Sequence, residues 1–159
     1  MIYFISDTHF WHRNIIKYTK RPFETVEQMN EHIIKCWNEV VSPDDVVYHL
    51  GDFSFGSSEQ VANIIERLNG KIILIMGNHD KSRTVTWWLR NGIHEVHKGS
   101  MIIEDYILSH KPLIHVPYGM INVHGHIHDL DISVIEGYDE FDHINVCVEK
   151  TGFYPIILP

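Results

Sequence analysis

Cysteine is scarce: the 159 residues contain two, Cys36 and Cys147, far apart and matching no CxxC pattern. That argues against a thiolate zinc site. Both read as small buried hydrophobes, one in a helix and one in a strand. Long apolar runs are missing too, and none approaches the roughly 20 residues of a membrane span. The opening Met1-Ile2-Tyr3-Phe4-Ile5-Ser6-Asp7 has no basic leader and reaches a carboxylate too early for a signal peptide, so a cytoplasmic location is expected. Positive charge is short, 13 Lys and Arg against 21 Asp and Glu, for a net charge of −8. A long nucleic-acid footprint needs a basic surface and is not expected here. A small phosphorylated substrate at a metal centre is compatible with that balance, because two divalent ions would add about four positive charges locally.

What is abundant is histidine. Of 13 histidines, nine (His9, His12, His49, His79, His110, His115, His124, His126 and His128) fall in or beside segments where apolar runs end, which points to metal more than to surface decoration. The length fits one domain over residues 1–159, large enough to bury a core without staples.

Periodicity predicts the elements. Apolar runs Ile2–Ile5, Val46–Leu50 and Lys71–Met76 read as strands. Thr25 with Gln28 and Ser57 with Gln60 are capping-box patterns, opening helices over 26–41 and from 58 to about 68. A third helix is expected over 82–91, capped by Ser82. After Gly92 the texture changes to short β-like segments at 95–97, 101–104, 106–109, 120–123, 132–135, 144–148 and 154–158, separated by Gly and Pro turns. The order predicts an α/β sandwich in which early parallel strands run into a second, mixed sheet.

The chemistry lies at the strand ends. The first strand is followed by Asp7 and His9, the second by Asp52, the third by Gly77-Asn78-His79-Asp80, the run 106–109 by His110, and the run 120–123 by His124-Gly125-His126-Ile127-His128. Ligands bind α/β sheets at these carboxyl ends, and five such ends in one chain exceed chance. Carboxylate, imidazole and amide oxygen without thiolate suit Mn, Fe, Zn or a related divalent ion. Seven candidate ligands (Asp7, His9, Asp52, Asn78, His110, His126 and His128) exceed one tetrahedral ion and fit two ions sharing a carboxylate. Alternation along an extended backbone would put Asp7 with His9, and His126 with His128, on one side.

The blocks D-x-H, G-D, G-N-H-D, H and G-H-x-H, in this order from Asp7 to His128, resemble the calcineurin-like metallophosphoesterase superfamily, in particular its small bacterial or phage-type members. The resemblance implies a four-layer αββα sandwich with two mixed sheets and a dinuclear centre. By motif position, Asp7, His9, Asp52 and His128 would hold one ion and Asp52, Asn78, His110 and His126 the other, with Mn first and Fe, Zn or Ni as alternatives. His79 would be catalytic, contacting the scissile phosphate and protonating or stabilising the leaving oxygen, and Asp80 would orient it by accepting its other N–H. The expected reaction is attack on phosphorus by a metal-bridging hydroxide, since two ions bring the pKa of a shared water towards neutrality. Gly51-Asp52 is followed by Phe53-Ser54-Phe55-Gly56 rather than the Asp-Arg pair of the protein Ser/Thr phosphatase branch, and the third block ends in Asp80 rather than Glu. A phosphodiester or nucleotide-like substrate is therefore expected first, a phosphomonoester second, and a non-catalytic protein-binding scaffold last.

Other residues near these blocks carry weaker readings. His49 is expected in the core, His124 as packing or as support for a ligand, and His115 in a loop. His12 is balanced between surface and phosphate contact. Trp11, Trp87 and Trp88 could stack a base but read first as packing. Arg13, Lys17, Lys20 and Arg21 form the densest basic stretch, either a solvated loop or an anion-facing edge of the site.

Overall fold

The computed structural model describes all 159 residues, Met1–Pro159. Four short strands, β1 (Ile2–Ile5), β2 (Val46–His49), β3 (Lys71–Ile75) and β4 (Glu95–His97), form a wholly parallel sheet in the order β1-β2-β3-β4. Their near-continuous β-branched and aliphatic runs are what a sheet covered on both faces requires. A second sheet has the order β5-β6-β7-β8: β5 (Met101–Ile103) is antiparallel to β6 (Tyr106–Ser109), which runs parallel to β7 (Ile121–His124), itself parallel to β8 (His143–Asn145). Only the second of the two sheets is thus mixed.

The helices between the parallel strands cover one face of the first sheet. Helix α1 is a single turn (Ile15–Tyr18). Helix α2 (Val26–Val40) starts at Thr25, whose hydroxyl accepts the Gln28 amide at 3.1 Å, and it buries Val26, Met29, Ile33, Ile34 and Trp37. Each such side chain removed from water stabilises the fold by about 1.5–3 kcal/mol. Helix α3 (Ser58–Arg67) carries the reciprocal capping box, Ser57 accepting the Gln60 amide and the Gln60 side chain accepting the Ser57 amide. Together with Trp88 of helix α4 (Val85–Arg90), these faces and β1–β3 make a core of 22 buried residues. A second core lies between the sheets, where Phe4, Tyr48, Leu50, Ile73 and Ile75 meet Leu108, Val123 and Val146. On the other side of the second sheet, buried Asn122 accepts the Leu113 amide at 2.8 Å, so an irregular segment lies against it there.

Four expected elements differ. Helix α4 begins at Val85 with Thr84 as cap, because Asp80–Ser82 is spent in a separate 3-10 turn whose Asp80 carbonyl accepts the Trp88 indole N–H. Ile132–Val134 is a 3-10 turn: the Asp131 carboxylate accepts both the amide and the hydroxyl of Ser133, and local side-chain bonding displaces a strand. The 144–148 run divides between β8 and helix α5 (Val148–Thr151). The last segment makes a single bridge, Ile156 with Phe4. No helix is long and apolar enough to cross a membrane.

Candidate dinuclear metal centre

The two sheets are stitched together where their strands end. Across the sheets the Ser6 amide donates to Val146 O at 2.9 Å, the His126 amide to Asp7 Oδ2 at 2.9 Å and His110 Nδ1–H to Leu50 O at 2.7 Å. Within each sheet the Asp7 amide donates to Gly51 O at 3.0 Å, the His9 amide to Asp52 O at 3.0 Å and the Gly125 amide to His110 O at 2.9 Å. Close approach is possible because glycines stand at the crossing. A Cβ on Gly51, whose φ is +98°, would lie 2.6 Å from both Gly77 N and His110 Nδ1. Backbone strain concentrates at the same place. Of nine non-glycine residues with positive φ, five are Asp7, His9, Asp52, His126 and His128. Such conformations cost on the order of 1–3 kcal/mol each and persist where the surroundings over-determine them. The pairs in D-x-H and H-x-H therefore converge through left-handed turns, not through extended alternation. Thr8 still points away, its hydroxyl donating to Phe53 O at 2.8 Å.

Six side chains converge as two triads, Asp7/His9/His128 and Asp52/His110/His126, the candidate ligand atoms of each lying within 4.8 Å of one another. Asp52 Oδ2 sits between the triads, 3.4 Å from His110 Nε2 and 3.7 Å from His9 Nε2. Asp7 Oδ1 is 3.5 Å from His9 Nε2 and 3.8 Å from His128 Nε2. Asp7 and His9 are buried, yet Asp7 Oδ1 and His9 Nε2 have no hydrogen-bond partner. Buried polar atoms are normally satisfied, so two orphans aimed at one point call for a ligand of their own. His126 Nδ1 and His110 Nε2 face each other at 3.2 Å, two lone pairs suited to a shared cation.

Each triad is oriented from behind. Asp7 Oδ2 accepts Ser6 Oγ at 2.6 Å, the His126 amide at 2.9 Å and the Cys147 thiol at 3.3 Å, which leaves Oδ1 to face inwards. His110 Nδ1–H donates to Leu50 O at 2.7 Å, presenting Nε2 to Asp52. His128 Nδ1–H donates to Glu149 Oε1 at 3.2 Å, and Glu149 is itself gripped by Arg21 through Nε at 2.9 Å and Nη2 at 2.7 Å. Outer carboxylates of this kind set the tautomer and basicity of a metal-binding imidazole. Burial alone would raise the Asp7 carboxyl, but the facing His9 imidazole, 3.5 Å away, and the His110 and His128 charges outweigh it and hold Asp7 well below the carboxylate range. Burial would likewise lower His110 and His128; hydrogen bonds to Asp52 and Glu149 reverse that and raise both. Carboxylates that pull protons onto buried imidazoles in this way form a site that favours cations. Replacing Glu149 by Gln is expected to weaken one bound ion about 10- to 100-fold. Calorimetric titration with Mn²⁺ measures this, and equal weakening of both ions, or of neither, would contradict the assignment.

Asp80 takes a different place from the one its sequence position implied. Its carboxylate accepts the amides of Asp52 at 2.7 Å, Gly77 at 2.7 Å and Phe53 at 2.9 Å. Burial pushes its pKa up against these bonds. All of its hydrogen bonds thus go to backbone amides, and none goes to the His79 ring: Asp80 ties the ends of β2 and β3 together and orients Asp52. His79 is 44 % exposed, its Nε2 3.9 Å from Asp52 Oδ2, its amide donating to Asp52 Oδ1 at 3.0 Å and its ring 4.5 Å from that of Phe55. Asn78 is exposed and lies beside a hollow next to His79, outside the lining of the metal cleft.

The weaker readings resolve as well. His49 is fully buried; its Nδ1 accepts the Gly51 amide at 3.2 Å and its Nε2–H donates to Thr8 Oγ1 at 2.9 Å, and burial lowers its pKa to about 3. His124 is buried with Nδ1–H on Gly125 O at 2.9 Å. His115 is exposed in a loop. His12 lines the cleft, stacked on Phe55 at 4.1 Å with its Nδ1 3.3 Å from that of His9. Arg21 is no anion-facing residue, since it is buried and donates to Asp7 O, Thr8 O and Glu149. Trp88 is core, Trp11 packs against the core, and Trp87 lies under the Arg83 guanidinium at 4.6 Å. Sequence reasoning missed Glu149, Cys147 and Phe55. The first two lie beyond the motif blocks, and Phe55 carried no signal except its place after Asp52.

An α/β sandwich with paired Asp/His triads at its strand ends defines a metal-dependent hydrolase site of the dinuclear class. The chain matches the model of the calcineurin-like phosphoesterase family over residues 1–149, and it belongs to that family. It is 55 % identical over 82 residues to the uncharacterized protein MJ1445 of Methanocaldococcus jannaschii, covering 50 % of this chain and 47 % of that protein. Against the Gene 66 protein of Mycobacterium phage L5 it is 33 % identical over 81 residues, covering 49 % and 39 %. The chain thus spans less than half the length of the curated relatives it matches. The crystal structure of the protein of unknown function AQ665 from Aquifex aeolicus superposes with a TM-score of 0.76 at 30 % identity, over 98 % of this chain and 94 % of that one. The Pseudomonas putida nuclease MPE shares the fold, with a TM-score of 0.56 at 21 % identity over 80 % and 61 %.

Proposed function

We propose that residues 1–159 form a single cytoplasmic phosphoesterase domain that hydrolyses a small phosphodiester, with a nucleotide-like compound as first choice. The observation that carries this reading is the pair of facing triads with two buried, unpartnered ligand atoms, Asp7 Oδ1 and His9 Nε2. Asp7, His9 and His128 would hold one divalent ion and His110 and His126 the other, with Asp52 shared; Mn is the first choice. Asn78 would complete the second set by turning its exposed amide inwards. Such ions, when bound, supply Lewis acidity towards phosphoryl oxygens and a water that ionises near neutral pH.

The rest of the work falls to the chain itself. Asp52, held by Asp80 through its own amide, fixes the spacing of the two triads. His79 stands at the mouth of a cleft of about 630 Å³ with a half-exposed ring, placed to give a proton to the departing oxygen. His12 and Phe55 wall the same cleft, the Phe55 ring lying 4.1 Å from that of His12 and 4.5 Å from that of His79. The name of the Pseudomonas putida neighbour puts nuclease chemistry on this fold, in keeping with a diester substrate.

One assay series tests the reading: bis-p-nitrophenyl and mono-p-nitrophenyl phosphate with Mn²⁺, Ni²⁺, Fe²⁺ or Zn²⁺. Diester hydrolysis that a chelator abolishes and metal restores is the expected result. Faster monoester turnover would shift the substrate class, and no turnover with any ion would leave a metal-holding scaffold.

A further inference from the structure

One further hollow shares lining residues with the metal cleft, and a third shares lining residues with that one. Phe55 and His79 line both the cleft and a hollow of about 520 Å³ that also has Ser54, Ser58, Asn78 and Arg83. Ser82 and Arg83 in turn line both that hollow and a third, of about 450 Å³, flanked by Lys81 and Lys98. The three hollows thus neighbour one another in turn, from Asp52 past His79 to three cations, Arg83, Lys81 and Lys98. Neither outer hollow is lined by Asp or Glu, in a chain with 21 of them and a net charge of −8.

Arg83 is built for an anion. One Nη2–H donates to Gly56 O, and the guanidinium lies 4.6 Å over the Trp87 ring, so its orientation is fixed. No carboxylate pairs with Arg83, Lys81 or Lys98, whereas Arg21 and Arg67 each have one. The remaining N–H groups of an anchored guanidinium form a fork that matches phosphate oxygens.

We propose that this shelf receives a second phosphate of the substrate, beyond the scissile one on the His79 side. The preferred substrate is then a short single-stranded oligonucleotide and not an isolated diester. The proposal rests on the phosphoesterase reading above and sharpens its substrate. The intervening hollow decides between phosphate sources. At about 520 Å³ it has room for a nucleoside, whereas adjacent phosphates of a polyphosphate share one bridging oxygen and would not span it. Three cations suffice for two or three phosphates, so the acidic chain still has no long nucleic-acid footprint.

The Mn²⁺-loaded protein is assayed on bis-p-nitrophenyl phosphate, a dinucleoside monophosphate and a single-stranded tetranucleotide. The tetranucleotide is expected to exceed the dinucleoside monophosphate in kcat/KM by roughly tenfold, the effect of one charge-assisted phosphate contact. Its kcat/KM should also fall more steeply with salt, by a slope of about 0.7 per phosphate contacted. Arg83→Gln should bring the tetranucleotide-to-dinucleotide ratio towards one. Lys98→Gln, at a side chain without a hydrogen bond or ion pair, should lower it partway and serves if Arg83→Gln fails to fold. Diester hydrolysis with a wild-type ratio near one, or an unchanged ratio in Lys98→Gln and any folded Arg83→Gln, overturns this proposal alone. Absence of hydrolysis on all three substrates overturns the phosphodiesterase reading with it.

Discussion

Asp52→Asn is expected to lose both metal and activity. One oxygen of this carboxylate lies 3.4 Å from His110 of one triad and 3.7 Å from His9 of the other, so the substitution weakens two sites at once. Asn preserves the shape, and the amide of residue 52 keeps its bond to Asp80, so the fold should survive. Metal-derived stabilisation of transition-state charge is worth several kcal/mol, which places the loss in kcat/KM at roughly 10³-fold or more. Metal content and turnover measured on the same preparation check this. A fully loaded Asp52→Asn protein with near-normal turnover would show that the two triads do not share this group.

His79→Ala should do the opposite to metal and much the same to rate. The ring lies outside both triads and is half exposed, so both ions should stay. Loss of a general acid typically costs about 10²–10⁴-fold. The deficit should shrink when the leaving group departs readily as an anion, because protonation then matters less. A series of aryl phosphodiesters of graded leaving-group pKa gives a steeper dependence for His79→Ala than for the unaltered chain. An identical slope, or loss of both ions, would remove His79 from the role of acid. Asp80, which contacts three amides and not the His79 ring, should behave instead as a support for Asp52.

The parts of the site that could be read from the sequence are those encoded locally. Asp7, His9, Asp52, His110, His126 and His128 each follow an apolar run by a few residues, and the end of a strand is where a sheet presents ligands. The first sheet and helices α2 and α3 were legible for a related reason: capping residues and a single apolar periodicity agree there. What was not legible depends on distant pairs. Arg21 looked like part of a solvated basic loop, yet it grips Glu149 across 128 residues and thereby orients His128. Asp80 beside His79 suggested a His–carboxylate pair. The neighbouring strand end offered three amides that only the folded backbone brings within reach. The left-handed turns at Asp7, His9, Asp52, His126 and His128 had no sequence signal either, since none of these residues is glycine. They belong to the site's geometry and go with bonds that only the folded chain makes, from the amides of Asp7 to Gly51 O, His9 to Asp52 O, Asp52 to Asp80 and His126 to Asp7.

Two ions per chain at the assigned places are the central expectation for this site. Crystals grown with Mn²⁺ and measured near the manganese edge should show two anomalous peaks, one among Asp7, His9 and His128 and one among His110 and His126, with Asp52 between them. A single peak, or peaks away from both triads, would contradict it.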